Sequence, residues 1–307
     1  MRNVIKVKNL TKKYGQLRAV NNISFEVRKG EVFGLLGENG AGKTTTLEII
    51  EGLRPATSGR VDILGHNIKK GLEDIKERIG VQLQSSAYFN DLSLREILHL
   101  FGSFYSHYLD PDELLEIVEL EDKKNSYIAS LSGGQKQRFS IVASLINDPE
   151  IIFLDEPTTG LDPLARRNLW EIIFKIKKQK KTIILTTHYM EEADILCDRV
   201  AIMEAGKILT LGEVHKLVEH LPNPYKITFI ATKINQKLIA EISKYSQIRN
   251  ANHKINNFEV KCKSQESLNR VLGLVQKLNP KSLTVSRATL EDVFIELTGK
   301  TIKDEDV

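Results

Sequence analysis

The residues that most directly suggest chemistry form the glycine-rich stretch GENGAGKT at positions 37–44. It fits the pattern G-x-x-x-x-G-K-[ST], and it lies between the apolar stretch EVFGLL and the helix-favouring stretch TTTLEIIEGL. In this pattern the glycines let backbone N–H groups surround an anion. Lys43 brings a positive charge to terminal phosphates, and the Thr44 hydroxyl is a suitable ligand for Mg²⁺. The stretch therefore predicts a phosphate-binding loop between a strand and a helix.

Two carboxylates follow a second apolar run, IIFL, which is bounded by Asp-Pro on one side and Pro157 on the other. Open α/β sheets bind ligands at the carboxyl ends of their strands, so Asp155 is placed to hold Mg²⁺ through its water shell. Glu156 is placed to polarise an attacking water as a general base. A strand that ends in two solvated acids would look the same in isolation. Together with the phosphate loop, the pair favours phosphoryl transfer.

Three further side chains fit two interpretations each. His188 follows the strand-like TIILTT and would either bond a γ-phosphate or attacking water, or be a structural histidine with partners inside the chain. Gln84 ends the strand-like IGVQLQ, where a polar residue is ordinary. Tyr14 in KKYG would stack on an adenine ring or simply be an exposed aromatic residue before a turn. Spacing alone leaves these alternatives open.

The stretch LSGGQ at 131–135 contains a helix start with an unusual glycine pair. Ser132 and Gln135 satisfy the capping-box pattern before an apolar helix. Glycine inside a helix costs roughly 0.8–1.0 kcal/mol relative to alanine, and less at a terminus. Gly133 and Gly134 therefore suggest that something approaches the backbone closely, and a helix N-terminus is an anion site. The residues indicate a second anion site whose ligand they do not identify.

The elements around these motifs alternate between strands and helices, which indicates a mostly parallel sheet with an antiparallel portion near the N-terminus. Helical periodicity extends from about residue 92 to 120, and a helix is expected from Asp162-Pro163 onward. Beyond the proline-containing VEHLPNPYK we expect a β-α-β-β-α-β arrangement over 225–286, the ferredoxin-like pattern. A last helix is expected in TLEDVFIELTG.

Composition narrows the functional classes. The chain has 307 residues, with 41% hydrophobic and 27% charged residues, so it is expected to form one large and one small globular domain. Its net charge of +4 does not call for nucleic acid. Cys197 and Cys262 have no metal-ligand spacing, which favours a reduced cytosolic setting and structural thiols. We expect no signal peptide or spanning helix, so a membrane role would need a partner.

Taken in order, the motifs resemble those of the nucleotide-binding subunits of ATP-binding-cassette (ABC) transporters, over about residues 3–215. The motifs are Tyr14, GENGAGKT, Gln84, LSGGQ, IIFLDEP, GLDP and His188. The resemblance implies ATP and Mg²⁺ as ligands and assigns the contacting residues. The implied ATP-binding residues are Tyr14, Gly37, Glu38, Asn39, Gly40, Ala41, Gly42, Lys43, Thr44, Thr45, Gln84, Asp155 and His188.

The resemblance also implies individual roles. Glu156 would be the catalytic base, with His188 and Lys43 at the γ-phosphate, and the Mg²⁺ ligands would be Thr44, Gln84 and Asp155. Members of this family commonly have Pro where this chain has Leu83, so Gln82 is the alternate for Gln84.

The same resemblance explains the glycine pair. In this family two subunits pair head to tail, and the signature loop Ser132, Gly133, Gly134 and Gln135 of one subunit binds the ATP held by the other. Asp162 in GLDP resembles the D-loop residue that communicates across that interface.

The implied fold is an α/β P-loop NTPase domain of the ABC-ATPase type, with a mixed sheet core, an antiparallel β subdomain and a helical subdomain. A small C-terminal α+β ferredoxin-like domain follows. We expect the nucleotide-binding domain over 1–220, with its helical subdomain at about 85–146. A regulatory or dimerisation domain is expected over 221–300, and a tail over 301–307.

The resemblance also implies the partners and the location. The final ATLEDVFIELTGK resembles the C-terminal appendage of the drug-resistance and daunorubicin-type branch, whose membrane partners are ABC-2 export permeases. The face carrying Tyr88 and Phe89 would receive a permease helix, at the cytoplasmic face of the cell membrane. The second nucleotide-binding subunit would be a second copy or a sister chain. An importer ATPase and a non-transport ABC ATPase are the alternatives.

Overall fold

The computed structural model describes residues 2–82, 88–231, 236–252 and 257–299 of the chain. They form two compact units, divided between Gly212 and Glu213. The sequence analysis placed this boundary after residue 220. The difference arises because the short helix Val214–Glu219 packs against the chain's last helix, Leu290–Thr298, within the second unit. Gln84 lies outside the described residues.

The first unit contains the strands and helices that carry the motifs. Its described strands are β1 (Asn3–Tyr14), β2 (Leu17–Arg28), β3 (Val32–Leu36), β4 (Ser58–Ile63), β5 (His66–Asn67), β6 (Ile79–Gln82), β7 (Ile151–Asp155), β8 (Thr182–Thr187), β9 (Arg199–Glu204) and β10 (Lys207–Glu213), the last ending at the boundary. Its described helices are α1 (Lys43–Ile50), α2 (Leu72–Lys76), α3 (Leu94–Gly102), α4 (Pro111–Ile117), α5 (Gly133–Ala143), α6 (Pro163–Lys178) and α7 (Met190–Leu196).

Two sheets organise this unit. Four strands form a sheet in the order β2-β1-β4-β5, with antiparallel pairs, as the sequence predicts for the N-terminal portion. The described strands of the second sheet follow the order β10-β9-β3-β8-β7-β6. Within it the pairs β3–β8, β3–β9, β7–β8 and β6–β7 are parallel. The predicted mixed sheet core and antiparallel β subdomain are therefore confirmed.

The three central strands, β3, β8 and β7, are buried at every position. Such uninterrupted apolar runs are typical of parallel strands whose two faces are both covered. Because β8 lies between the other two, their carboxyl ends meet at one edge, with Leu36 opposite Thr187 and Asp155 opposite Thr186. The loops that follow these strands are thereby brought together.

The two sheets share one apolar core. Phe25 of β2 stacks on Phe33 of β3 with ring centroids 5.3 Å apart. Leu47, Ile49 and Ile50 of α1 pack into the same cluster. Burial of this apolar area, worth roughly 25 cal/mol per Å², fixes the helix that follows the phosphate loop against the sheet.

Helices α3 to α5 lie within the range predicted for the helical subdomain. Ser93 caps α3 in a capping box with Glu96, and Asp110 caps α4 with Pro111 at its first position. The amphipathic α3 buries Leu94, Ile97 and Leu98. The predicted helical periodicity therefore corresponds to two short helices with a break between them.

The second unit contains a four-stranded antiparallel sheet among its described residues. Its elements are α8 (Val214–Glu219), β11 (Tyr225–Ile230), α9 (Gln236–Ile242), β12 (Ser246–Asn252), β13 (Asn257–Cys262), α10 (Gln265–Gln276), β14 (Ser282–Arg287) and α11 (Leu290–Thr298). The strand order is β12-β13-β11-β14, with β-α-β-β-α-β connectivity. This is the predicted ferredoxin-like arrangement, and helix α11 ends at Gly299 in a left-handed conformation.

None of the helices in the described part of the chain is both long enough and apolar enough to span a bilayer.

Candidate active site

The loop between β3 and α1 needs its glycines for steric reasons. Gly42 has a φ of 98°, and a Cβ atom there would lie 2.3 Å from the Ala19 carbonyl oxygen. A Cβ atom on Gly37 would lie 2.3 Å from the Met203 carbonyl oxygen. Gly40 has a φ of 81° with open space around it. The loop is thus held close to its surroundings at both ends, while its middle remains accessible to a ligand.

Lys43 lies at the first position of α1 and is only 4% exposed. Its ammonium group donates hydrogen bonds to the carbonyl oxygens of Gly37, at 2.8 Å, and Glu38, at 3.1 Å. The Nζ atom also lies 3.3 Å from Oε1 of Glu156. Burial lowers the pKa of Lys43, and the neighbouring Glu156 carboxylate opposes that shift. The loop therefore holds a buried cation directly beside the predicted base.

The predicted magnesium ligands Thr44 and Asp155 are in direct contact. The Thr44 hydroxyl donates to Oδ1 of Asp155 at 3.2 Å, and the Thr186 hydroxyl of β8 donates to the same oxygen. Burial raises the pKa of Asp155, and these hydrogen bonds oppose the increase only in part. A hydroxyl and a carboxylate supply the oxygen ligands that Mg²⁺ prefers, so these residues fit a magnesium ion.

Glu156 begins the loop after β7 with an unusual backbone. Its φ is 47°, in the left-handed region, where a residue other than glycine is strained. Its N–H donates to the Thr186 side-chain oxygen at 3.0 Å. The Thr186 hydroxyl thus joins both adjacent acids, and this conformation directs the Glu156 carboxylate toward Lys43 and His188.

His188 completes this cluster after β8. Its Nδ1 atom lies 3.3 Å from Oε2 of Glu156, and the same oxygen accepts a hydrogen bond from the Thr159 hydroxyl at 3.2 Å. The contact with His188 and the charge of Lys43 lower the pKa of Glu156 to about 2, against the effect of burial. Glu156 is therefore fully ionised near neutral pH. The sequence left His188 open between a structural and a catalytic role, and the geometry places it against the predicted base.

Glu192 in α7 is a completely buried carboxyl group. Its Oε1 atom accepts a hydrogen bond from the indole nitrogen of Trp170 at 3.4 Å, and its Oε2 atom has no hydrogen-bond partner among the described residues. Burial raises the pKa of Glu192, and its polar neighbours Thr187, Thr158 and Trp170 oppose the increase. The carboxyl group therefore joins α7 to α6.

Sequence reasoning missed both Thr186 and Glu192. Thr186 could have been found, because two threonines end a strand that is expected to be buried, and a buried hydroxyl requires a hydrogen-bond partner. In the sequence, nothing distinguishes Glu192 in the stretch MEEADIL from an exposed acidic residue. Only the packing of α7 shows that it is buried.

Tyr14 lies apart from this cluster and is 40% exposed. The Nζ atom of Lys12 lies 5.1 Å from its ring centroid, and the guanidinium carbon of Arg54 lies 5.6 Å from it. The ring is available for stacking, and two cations surround it.

The LSGGQ stretch also lies apart. Ser132 and Gln135 form the predicted capping box, with bonds of 2.9 Å and 3.3 Å between the side chain of each and the backbone N–H of the other. A Cβ atom on Gly134 would lie 3.4 Å from Cβ of Ala165, whereas one on Gly133 would meet nothing within 4 Å. Packing among the described residues therefore gives no reason for glycine at position 133.

The structure brings together Lys43, Thr44, Asp155, Glu156 and His188 in one network of contacts. No hydrogen bond or ion pair among the described residues joins the LSGGQ residues or Asp162 to it. Asp162 instead caps α6, where its Oδ1 atom accepts from the N–H groups of Leu164 and Ala165, both at 2.9 Å. Gln82, the alternate for Gln84, is buried at the end of β6.

A glycine-rich loop between a strand and a helix, a buried lysine, and a strand-end pair of acids define a P-loop ATPase. The ABC transporter family model matches residues 20–159.

Full-length relatives are similar over almost the whole chain. The linearmycin resistance ATP-binding protein LnrL of Bacillus subtilis (strain 168) is 33% identical, over 98% of this chain and 100% of its own length. The Nod factor export ATP-binding protein I of Sinorhizobium fredii (strain NBRC 101917 / NGR234) is 36% identical, over 98% of this chain and 87% of its own length.

Solved structures are similar over about two thirds of the chain. An ATP-binding subunit of an ABC transporter is 30% identical with a TM-score of 0.63, covering 70% of this chain and 91% of that one. A dimeric ATP-binding cassette in a post-hydrolysis state, bound to ADP and Pi, is 29% identical with a TM-score of 0.62, covering 68% and 98%. The chain belongs to the ATP-binding subunits of ABC transporters, and it is an ATPase with export-type relatives.

Proposed function

We propose that this chain hydrolyses ATP at two composite sites of a head-to-tail dimer and thereby drives export through separate ABC-2 permease subunits. The observation that carries the proposal is the continuous contact network at the carboxyl ends of β3, β8 and β7. There the ammonium group of Lys43 and the Nδ1 atom of His188 each lie 3.3 Å from a carboxylate oxygen of Glu156, and the Thr44 hydroxyl donates to Asp155.

The proposed chemistry follows from the charges in this network. Glu156 accepts the proton of the attacking water, and His188 orients that carboxylate and contacts the γ-phosphate. A base with a pKa of about 2 is a weak proton acceptor. When Lys43 pairs with the γ-phosphate, its charge stabilises the ionised form of Glu156 less strongly. The pKa of Glu156 then rises toward a value better suited to a base.

The phosphates are bound by the backbone of residues 37–45 together with Lys43. Thr44 and Asp155 hold Mg²⁺, which neutralises charge that develops on the phosphates. The glutamine ligand of that site is assigned to Gln84, with Gln82 as the alternate. Tyr14 stacks on the adenine ring.

The open space at Gly133 supports the dimer. The first turn of α5 presents backbone N–H groups and contains no acidic residue, which suits an anion. Because nothing in the described part of this chain lies against Gly133, the proposed ligand is the ATP held by a second subunit. Asp162, at the start of α6, would lie near the same interface. The partner subunit is a second copy or a sister chain.

Export is supported by the relatives. Both are named for resistance or export, and their similarity includes the second unit as well as the ATPase unit. We place the chain at the cytoplasmic face of the membrane, with the permease on the helical-subdomain face that carries Tyr88 and Phe89. The ferredoxin-like unit would serve dimerisation or regulation.

Purification from membranes under mild cross-linking tests the proposal. We expect an ABC-2 permease, identified by mass spectrometry, to co-purify with the chain, and its reconstitution to give export coupled to ATP hydrolysis. Lys43→Ala should abolish nucleotide binding and transport but leave the permease bound. Recovery of no membrane protein, or coupled uptake instead of export, would contradict the proposal.

A further inference from the structure

A groove of about 580 Å³ opens on the first unit between the end of α1, strand β6 and helices α3 and α5. Four aromatic side chains line it, those of Tyr88, Phe101, Phe104 and Tyr105, together with aliphatic residues. Phe104 is 71% exposed. A concave apolar surface with exposed aromatic side chains is typical of a site that receives the apolar face of a partner helix.

The charged residues around this groove are mostly acidic. Glu73, Glu77 and Glu51 line it together with a single lysine, Lys76. Lys76 is already paired with Glu73 at 3.0 Å. Glu77 accepts a hydrogen bond from the Ser106 hydroxyl at 3.0 Å. Of these three carboxyl groups, only Glu73 is therefore paired with a cation of the groove lining.

Glu51 differs from the other two acids because it is buried. It follows the last turn of α1 and is only 4% exposed, and its Oε1 atom has no hydrogen-bond partner in the described part of the chain. No lysine or arginine of those residues forms an ion pair with it. A buried carboxyl group without partners is costly, and a cation placed against it would remove that cost.

The surroundings of Glu51 add to this demand for positive charge. Burial and the nearby carboxylates of Asp155 and Glu48 raise the pKa of Glu51 to about 8. A basic side chain entering the groove would therefore meet a carboxyl group that gains from becoming ionised beside it. The aromatic walls would exclude water from such a pair and strengthen it.

We propose that Glu51 recognises a lysine or arginine on an amphipathic helix of the permease, whose apolar face packs against the aromatic walls of the groove. This inference rests on the proposed function, because it requires a permease that docks on this face. It specifies the chemistry of the docking segment, one basic side chain on an otherwise apolar face, and it assigns that side chain's counter-ion.

Affinity for the permease that co-purifies with the chain, held in lipid nanodiscs, tests the proposal. Glu51→Gln keeps the size of the side chain but cannot ionise beside a cation, and we expect it to weaken binding at least about tenfold, as for the loss of a buried charge pair. The matched control is Glu73→Gln, which removes a largely exposed charge from the same groove and should change affinity less than about twofold. ATP affinity is measured for both variants, so that an effect of Glu51→Gln on the nearby Asp155 is separated from its effect on permease binding.

A double-mutant cycle then identifies the partner residue. Each lysine and arginine in the cytoplasmic segments of the permease is replaced by glutamine, singly, and combined with Glu51→Gln. We expect one position whose substitution costs little once Glu51 has been changed. The inference is overturned if all losses add, if both Glu variants weaken binding equally, or if Glu51→Gln leaves binding intact. Absence of any bound permease would instead overturn the proposed function.

Discussion

The ammonium group of Lys43 lies 3.3 Å from Oε1 of Glu156, and both side chains are almost completely buried. One comes from the helix after β3 and the other from the loop after β7, so the pair joins the two halves of the site across β8. The cation that binds phosphate and the carboxylate proposed as the base therefore form one electrostatic unit. A change in either alters the charge that the other experiences.

Replacing Glu156 by glutamine tests the assignment of the base. We expect turnover to fall at least about a hundredfold, the scale of general base catalysis, while ATP affinity is retained. The ATP-bound dimer should then accumulate and be visible by size-exclusion chromatography. Glu171→Gln, on the exposed side of α6, is the control and should behave as wild type. Hydrolysis at the wild-type rate in Glu156→Gln would refute the assignment.

Acid stability provides a second test of the same carboxylate. The pKa of Glu156 is about 2 in the folded protein against an ordinary value of 4.5. A depressed pKa stabilises the fold above the ordinary value, and that contribution is lost as the pH falls from about 4.5 toward 2. Below about pH 5, the free energy of unfolding should fall more steeply for wild type than for Glu156→Gln, by at most about 1.4 kcal/mol per pH unit.

The pH dependence of the free energy of unfolding also tests the contact between His188 and Glu156. Since its contact is the largest influence lowering the pKa of Glu156, His188→Ala should give a slope between those of wild type and Glu156→Gln. Urea unfolding at several pH values measures all three. Parallel curves for wild type and both variants would contradict these contacts.

Gly133 tests whether the signature loop acts on a second subunit. Its Cβ position is open, so Gly133→Ala should leave the free energy of unfolding unchanged or raise it by up to about 1 kcal/mol. It should nevertheless reduce ATP hydrolysis, because a methyl group would intrude on the ligand of the partner subunit. Gly273→Ala in α10, also in open space, is the control for helix propensity and should not affect hydrolysis. Full activity of Gly133→Ala would count against close approach.

Mixing variants examines the sharing of sites directly. Ser132→Arg protein and Lys43→Ala protein should each be inactive alone, while a mixed dimer should contain one intact composite site. We expect partial recovery of ATPase activity in the mixture, measured under dimer-forming conditions. No activity at any mixing ratio would indicate that each subunit works alone.

Tyr14 should contribute to nucleotide affinity through its ring. Stacking of a base on an aromatic side chain is worth about 1–3 kcal/mol, so Tyr14→Ala should weaken ATP binding roughly 5- to 150-fold. Tyr14→Phe keeps the ring and should bind nearly as wild type does. Calorimetric titration of the three proteins distinguishes stacking from a role of the hydroxyl group, which would make Tyr14→Phe as weak as Tyr14→Ala.

Glu192 should stabilise the packing of α7 against α6. Glu192→Ala leaves the buried indole nitrogen of Trp170 without this partner, and we expect a loss of about 1–3 kcal/mol in unfolding free energy. Glu192→Gln keeps the shape and should preserve stability better. Chemical denaturation measures both, and equal stability of Glu192→Ala and wild type would show that these contacts contribute nothing.

Much of this architecture follows from local sequence. Alternating strands and helices, the capping box at Ser132, and the Asp162-Pro163 helix start depend on neighbouring residues, and the structure contains all of them. Strands β9 and β10, the short helix α8 and therefore the unit boundary carry no comparable local signal. Their existence depends on which partner each segment packs against.

The sequence by itself determined which motifs the site contains. They are a phosphate loop, a strand-end pair of acids, a histidine and a glycine pair at a helix start. These are patterns over a few adjacent residues, and backbone sterics and hydrogen bonding make them readable locally. Only the tertiary structure decided that β8 lies between β3 and β7, because strand order is set by long-range packing. That order places Thr186 between two acids, Glu156 between Lys43 and His188, and Glu51 unpaired beneath an aromatic groove.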